Sequence, residues 1–213
     1  MVDKFTRVRA IFAENFDHLR EKKILLLGVG GVGGFCLDAL YRSGIENITI
    51  VDFDKFEITN QNRQIGSEHI GQTKVFVFKK LYPKVTPIDV KVTPSWVDEF
   101  NFDKFDLVID AIDDIDAKVA TAQKTYSKLI SSMGGAKKLD PTQIEIRSIW
   151  KTYGDGLAKK FRNELKKVNF NKKFDVVFSP EEPKCKDLGS FVGVTGAFGL
   201  TLASLAIKKL APK

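Results

Sequence analysis

Around a glycine cluster at 28–33 the spacing of apolar residues changes period twice. Phe5 to Leu19 is amphipathic, Ile24-Leu25-Leu26-Leu27 is an unbroken apolar run between Lys23 and Gly28, and Phe35, Leu37, Ala39 and Leu40 return to helical spacing before Gly44. A short run apolar at every position suits a strand buried on both faces of a parallel sheet. Further apolar runs at 48–51, 88–92, 107–111 and 129–132 alternate with helical patterns near 68–82 and 114–128. Strand and helix in alternation predict a sheet with helices on both faces.

From Asp140 the pattern changes. Thr142 to Ile149 alternates polar and apolar, with Ile144, Ile146 and Ile149 expected inward and Arg147 outward, as in an antiparallel strand. A lysine-rich helix over 156–168, a strand over 175–178 and a polar loop over 179–187 follow. Phe191 to Ile207 is a run of seventeen uncharged residues containing Gly193, Gly196 and Gly199. That is just under the roughly 18 residues of a membrane span, and small residues at this spacing let another backbone approach closely. We therefore expect a helix buried in the fold or in a subunit interface, ended by Lys208-Lys209, and no membrane contact. The fold class expected is α/β: a Rossmann-like, doubly wound, mostly parallel sheet with appended antiparallel strands and a C-terminal apolar helix.

Composition changes this picture in two places. Cys36 and Cys185 are the only cysteines among 213 residues, with no CxxC pair, which argues against a disulfide framework and against a four-thiolate zinc site. With a charged N-terminus and no leader pattern, the expected location is the cytoplasm. The net charge of +7 is concentrated: residues 151–173 hold eight Lys or Arg against Asp155 and Glu164, which is +6 of the total. Lys159, Lys160, Arg162, Lys166 and Lys167 form its centre, a patch suited to a phosphate backbone or to a solvated helix face.

The chemistry starts at Gly28-Val29-Gly30-Gly31-Val32-Gly33, a G-x-G-x-x-G that follows a strand and opens a helix. In that context the glycines permit a tight turn and turn backbone amides toward a pyrophosphate. Asp52 ends the next strand nineteen residues after Gly33, where a carboxylate can accept from ribose hydroxyls. Asp54, Asn60, Arg63 and Lys74 follow within 22 residues of Asp52. A nicotinamide dinucleotide has no use for that cluster. A nucleoside triphosphate attacked at its α-phosphorus does, because fixed cations stabilise the departing pyrophosphate. Asp113 stands just past the fourth strand, placed to hold Mg²⁺.

In this order, the GxGGVG, Asp-x-Asp, Asn-x-x-Arg-Gln, Gly-Gln-x-Lys and Ile-Asp-Asp motifs resemble the adenylating domain of ubiquitin-activating enzymes and sulfur-carrier activators, over roughly residues 5–135. The resemblance implies that Asp52 binds ribose, that Asn60, Arg63 and Lys74 contact the triphosphate of ATP, and that Asp113 holds magnesium. It also implies a homodimer in which an N-terminal arginine, Arg9 before Arg7, reaches over the partner's phosphates. Gly134-Gly135-Ala136, the Asp140-Pro141-Thr142-Gln143-Ile144 run, Lys151-Thr152-Tyr153, Asp175 to Ser179 and Thr195 to Gly199 resemble the tRNA threonylcarbamoyladenosine dehydratases. That family implies a modified tRNA as substrate, with the basic patch as its contact.

The division expected is one adenylating domain over 1–213, with an arm at 1–20, a nucleotide-binding core at 23–135 and a substrate- and dimer-facing part at 136–213. Left open are adenylation of a ubiquitin-like sulfur-carrier protein, for which Cys185 would be the thiol, an NAD-binding module, and a monovalent cation in the site. Cys36 is expected as a small buried hydrophobe, Trp96 and Trp150 as packing residues, and neither His18 nor His69 as a metal ligand or base.

Overall fold

A computed structural model describes residues 2–212, so the two ends of the expected 1–213 division lie outside the described residues. The N-terminal arm, expected as one amphipathic segment, is two short helices, α1 (Thr6–Phe12) and α2 (Asn15–Glu21). They part at Ala13, whose φ of 49° breaks the helical path. The central alternation is β1 (Ile24–Leu27), α3 (Gly33–Arg42), β2 (Ile48–Asp52), α4 (Lys74–Leu81), β3 (Thr86–Asp89) and α5 (Pro94–Glu99). It continues with β4 (Leu107–Asp110), α6 (Ile115–Thr125), β5 (Leu129–Ser132), β6 (Glu145–Ser148), α7 (Gly156–Lys167), β7 (Asp175–Phe178) and α8 (Val192–Leu210).

The strands form one sheet in the order β3-β2-β1-β4-β5-β7-β6. β1 pairs parallel with β2 on one side and with β4 on the other, so chain direction across the sheet reverses beside β1, where ligands of such sheets bind. Of the two appended strands only β6 runs antiparallel; β7 pairs parallel with β5. The reason is β6 itself: it returns the chain to the end of the sheet where β5 began, so that β7, reached through α7, starts there and runs alongside β5. β6 is the edge strand, and Ile146, expected inward, stays exposed there.

The third strand lies two to three residues before the expected 88–92. Its register against β2 sets Val51 opposite Ile88 and Asp52 opposite Asp89, and Pro87 is tolerated because β3 is the other edge. The helix expected over 68–82 begins only at Lys74, because Gly71, with φ of 81°, turns the chain first.

The sheet is covered by two apolar layers, one under α3, α4 and α8 and the other under α5, α6 and α7. Trp96 stacks on Phe100 in the second layer. α8 crosses α3 at close range: a Cβ on Gly199 would lie 2.4 Å from the carbonyl oxygen of Val32. Its long apolar run thus serves a helix–helix contact inside the fold. No helix of the described residues is long and apolar enough to cross a membrane.

Candidate adenylation site

β1 leads into Gly28, whose φ of 84° favours glycine. Contact requires glycine as well: a Cβ on Gly28 would meet the Ala111 carbonyl oxygen at 2.8 Å, and one on Gly33 would lie 1.9 Å from the Gly28 carbonyl oxygen. The turn can therefore press against the exit of β4 and enter α3 at once. No side chain caps α3, which leaves helix-start amides for an anionic ligand.

Asp52 joins this turn to the exit of β2. Its Oδ2 accepts from the Val29 amide at 2.8 Å and its Oδ1 from the Asp54 amide at 2.9 Å. Burial pushes its pKa above the ordinary carboxylate value, against the pull of the two amides and of Lys74.

Lys74 arrives through the turn that delays its helix. The Gly71 amide donates to the Phe56 carbonyl at 2.8 Å, the Phe56 amide to that of Gln72 at 3.0 Å, and Lys55 bridges antiparallel to Thr73. Lys74 thereby opens α4 beside Asp54, with its Nζ 2.9 Å from the Asp54 carboxylate. The ammonium is nearly buried, and Asp54 is its one hydrogen-bond partner among the described residues. A triphosphate oxygen could take up the remaining N–H groups.

Arg63 lies over the glycine turn, its Cγ 3.3 Å from where a Gly31 Cβ would be. Its guanidinium donates to the Thr59 carbonyl at 2.8 Å and to the Asn62 carboxamide at 2.9 Å. Gln64 points its amide at Gly30, and its Oε1 is buried without a partner. Asn60 is buried, and its Oδ1 accepts from the Glu57 amide at 3.1 Å. Its carbonyl is thus committed to the local turn, leaving the NH₂ group for a ligand.

Asp113 is exposed and lines an open cleft of about 410 Å³ with Asp114, Ile115, Asp116, Lys160 and Glu164. Asp114 is committed to capping α6, accepting from the Ala117 amide at 2.9 Å. Among the described residues no group of three or more His, Cys, Asp or Glu is gathered for a metal. A lone carboxylate suits Mg²⁺, which is commonly bound by one or two carboxylates together with substrate phosphates and water. A larger groove, lined by Arg20, Glu46 and Lys84 among others, opens by the start of β2, at the opposite edge from this chemistry.

The basic patch is divided by the packing of α7. Ala158, Phe161 and Leu165 are buried, Lys159 and Lys166 are exposed, and Lys167 pairs with Glu164 at 2.8 Å. Arg162 is half-buried and donates to Thr152 Oγ1. Lys160 turns into the cleft with Asp113. Arg9 does not meet the other site residues within the chain: its guanidinium pairs with Asp3 at 3.0 and 3.2 Å and lies over the Phe16 ring. The pairing holds the Asp3 carboxyl at about 2. Arg7 is exposed. Cys185 is also exposed, with its Sγ 3.2 Å from the Asp187 carbonyl, whereas Cys36 is buried and its thiol pKa is pushed up by burial.

Sequence reasoning missed a fully buried ion pair. Lys118 Nζ lies 2.8 Å from Asp110 Oδ2, and both side chains are wholly excluded from solvent. A signal was present: Lys118 stands on the apolar stripe of α6, one turn from Ile115 and Ala122. Lys138 was missed too. Its Nζ donates to the Ser179 and Glu181 carbonyls and ties the loop after β5 to the loop after β7.

The sequence profile of the ThiF family matches residues 3–213. The chain belongs to the ThiF family. Among its curated relatives, the tRNA threonylcarbamoyladenosine dehydratase of Bacillus subtilis is 38% identical over 195 residues, covering 86% of this chain and 77% of that protein. The Escherichia coli enzyme of the same description is 34% identical over 231 residues, covering 89% and 86%. The crystal structure of the E. coli enzyme in complex with ATP superposes on this ThiF chain with a TM-score of 0.89 at 33% identity, over 97% of this chain and 93% of that one. The AMP complex gives 0.91 at 32% identity over the same shares.

Proposed function

We propose that this chain is an ATP-dependent adenylating enzyme that cyclises threonylcarbamoyladenosine in tRNA, releasing AMP and pyrophosphate. The observation that carries the reading is the stitching of the glycine turn to Asp52, which brings Asp54, Lys74 and Arg63 around the loop at the sheet's switch point. The ATP- and AMP-bound relatives of nearly the same fold, and the dehydratases that match most of the chain, support the substrate class.

In this reading Asp52 accepts from ribose hydroxyls, Gly28 and Gly33 shape the turn so that the amides after Gly30 and Gly31 face phosphate, and Asn60 donates its NH₂ group. Asp54 holds Lys74 until the triphosphate arrives. A carboxylate oxygen of the substrate attacks the α-phosphorus, and the bond to pyrophosphate breaks. Arg63, Lys74 and the partner subunit's copy of Arg9 stabilise the charge that builds on that leaving group. The neighbouring carbamoyl nitrogen then attacks the acyl carbon and loses its proton as AMP departs. The substrate has lost one water overall. Ring closure is intramolecular and benefits from a high effective concentration, so no side-chain nucleophile is needed. Mg²⁺, held by Asp113 together with phosphate oxygens, would offset triphosphate charge.

The chain would act as a homodimer in the cytoplasm, as one adenylating unit in which 1–20 is the arm, 23–135 binds nucleotide and 136–213 faces tRNA and the partner. Lys159, Lys166 and Arg162 would contact the tRNA backbone. The deciding experiment combines purified protein with Mg-ATP and tRNA with or without the modification, assays AMP and analyses the digested nucleosides by mass spectrometry. The expected result is AMP release with loss of one water from the modified adenosine. AMP release only on addition of a Gly-Gly-ended carrier protein would overturn the reading in favour of carrier activation.

A further inference from the structure

The Asp110–Lys118 pair lies beneath the loop that carries Asp113. All three protons of the Lys118 ammonium are used: on Asp110 Oδ2 at 2.8 Å, on Ser131 Oγ at 3.1 Å and on the Ser132 carbonyl at 2.9 Å. Ser131 Oγ in turn donates to Asp110 Oδ2 at 2.6 Å, and Asp110 Oδ1 accepts from the Ile112 amide at 3.2 Å. The loop is also fixed from its other end. The Lys118 amide donates to the Asp114 carbonyl at 3.0 Å, and the Ala111 amide to the Leu27 carbonyl at 2.8 Å. One lysine thus joins the ends of β4 and β5 to the first turn of α6, and the stretch between those anchors, 111–114, presents Asp113 to the cleft.

A buried ion pair is weak grounds for stability, because apolar replacements are often as good. Three features instead favour a geometric role: each buried polar side-chain atom of Asp110, Lys118 and Ser131 has a partner, the network touches the Ile112 amide directly, and Gly28 packs on the same loop at Ala111. We propose that Lys118 is a positioning residue for the adenylation step. Acting through Asp110 and Ser131, it sets the 111–114 loop so that the Asp113 carboxylate meets the divalent cation brought by the triphosphate. The proposal rests on the Asp113 reading above. Groups behind the ligands of a metal commonly change its affinity by about 10- to 100-fold when removed.

The test uses the whole chain and three variants, the first two also combined: Asp113→Asn, the charge-neutral pair Asp110→Asn/Lys118→Met, and Ser131→Ala, which keeps both charges and deletes the hydroxyl between them. ATP affinity is measured by calorimetric titration in EDTA and across a magnesium series, with thermal unfolding recorded for each. The expected result is unchanged affinity for metal-free ATP in the neutral pair and in Ser131→Ala. The neutral pair and Asp113→Asn should each need roughly tenfold more Mg²⁺ for tight binding, and Ser131→Ala should shift in the same direction by less. Combining the neutral pair with Asp113→Asn should add nothing. If Asp113→Asn raises the magnesium requirement and the folded neutral pair does not, the ion pair only stabilises the fold and the proposal fails. Should the neutral pair not fold, Ser131→Ala decides, and an unchanged magnesium requirement there overturns the proposal. An unchanged requirement in Asp113→Asn itself removes the Asp113 reading and the proposal with it.

Discussion

Lys74 and Asp54 meet twice, once through the backbone and once through their side chains. The Lys74 amide donates to the Asp54 carbonyl at 2.9 Å and its Nζ to the Asp54 carboxylate at the same distance. The backbone bond fixes where α4 begins, so the ammonium is aimed before any ligand binds, which is what electrostatic preorganisation needs. Lys74→Ala should reduce AMP formation about a hundredfold with a smaller change in ATP affinity. Unchanged single-turnover AMP formation would refute the role given to Lys74.

Asp52 should set an acid limb on ATP binding. Its folded-state pKa is raised, chiefly by burial, so it takes up a proton at higher pH than a free aspartate. Its contribution to stability is then fully present below the unfolded pKa and is lost as pH rises through the folded one. Binding runs the other way, because the carboxylate that accepts from ribose and from the Val29 amide must be ionised. ATP affinity measured from neutral pH downward should fall, and Asp52→Asn should bind weakly without that limb. An identical limb in the variant would assign it elsewhere.

Gly199→Ala should destabilise by about 1–3 kcal/mol, the usual cost of forcing a methyl into a packed contact. The added carbon would lie 2.4 Å from the Val32 carbonyl oxygen and 2.8 Å from Phe35 Cβ, at the entry to α3. Gly156→Ala is the control, since nothing lies within 4 Å of its added carbon. Urea midpoints would be compared, and equal values for the two variants would discount the close α3–α8 approach.

The lysines of α7 should separate into two kinds. Reversing charge at Lys159 and Lys166 together should weaken tRNA binding and reduce its salt dependence by roughly one unit of slope per lost phosphate contact, with ATP affinity unchanged. Lys160→Glu should also slow AMP formation, because Lys160 shares a cleft with Asp113. Titrations with labelled tRNA across a salt series would reveal whether the outer pair is instead a solvated face.

Arg9 should act in trans. Within its own chain it is held by Asp3, so the proposed role requires it to exchange that partner for a phosphate across the dimer. Arg9→Ala and Arg63→Ala should each be inactive alone, and mixed, refolded dimers should regain activity by pairing one intact Arg9 with one intact Arg63. Mixtures as inactive as their parents would place Arg9 outside the reaction.

The sequence alone determined what depends on near neighbours. Ile24 to Leu27 followed by glycines reads as strand and turn because an all-apolar run is stable only when buried on both faces, and because Gly28 needs a backbone open to positive φ. The order of Asp52, Asn60, Arg63, Lys74 and Asp113 was likewise visible, since those residues stand at strand exits and helix starts that periodicity locates. Tertiary structure decided where the charges point. Lys118 had no assigned partner until β4 and β5 brought Asp110 and Ser131 to its ammonium, and Lys160 belonged to a uniform patch until α7 packed beside α6. Lys74 began a helix six residues later than its periodicity implied because Gly71 and Phe56 bond across the turn. In each case the deciding partner is distant in sequence or in another element, and burial leaves a charged group only the few directions in which such a partner waits.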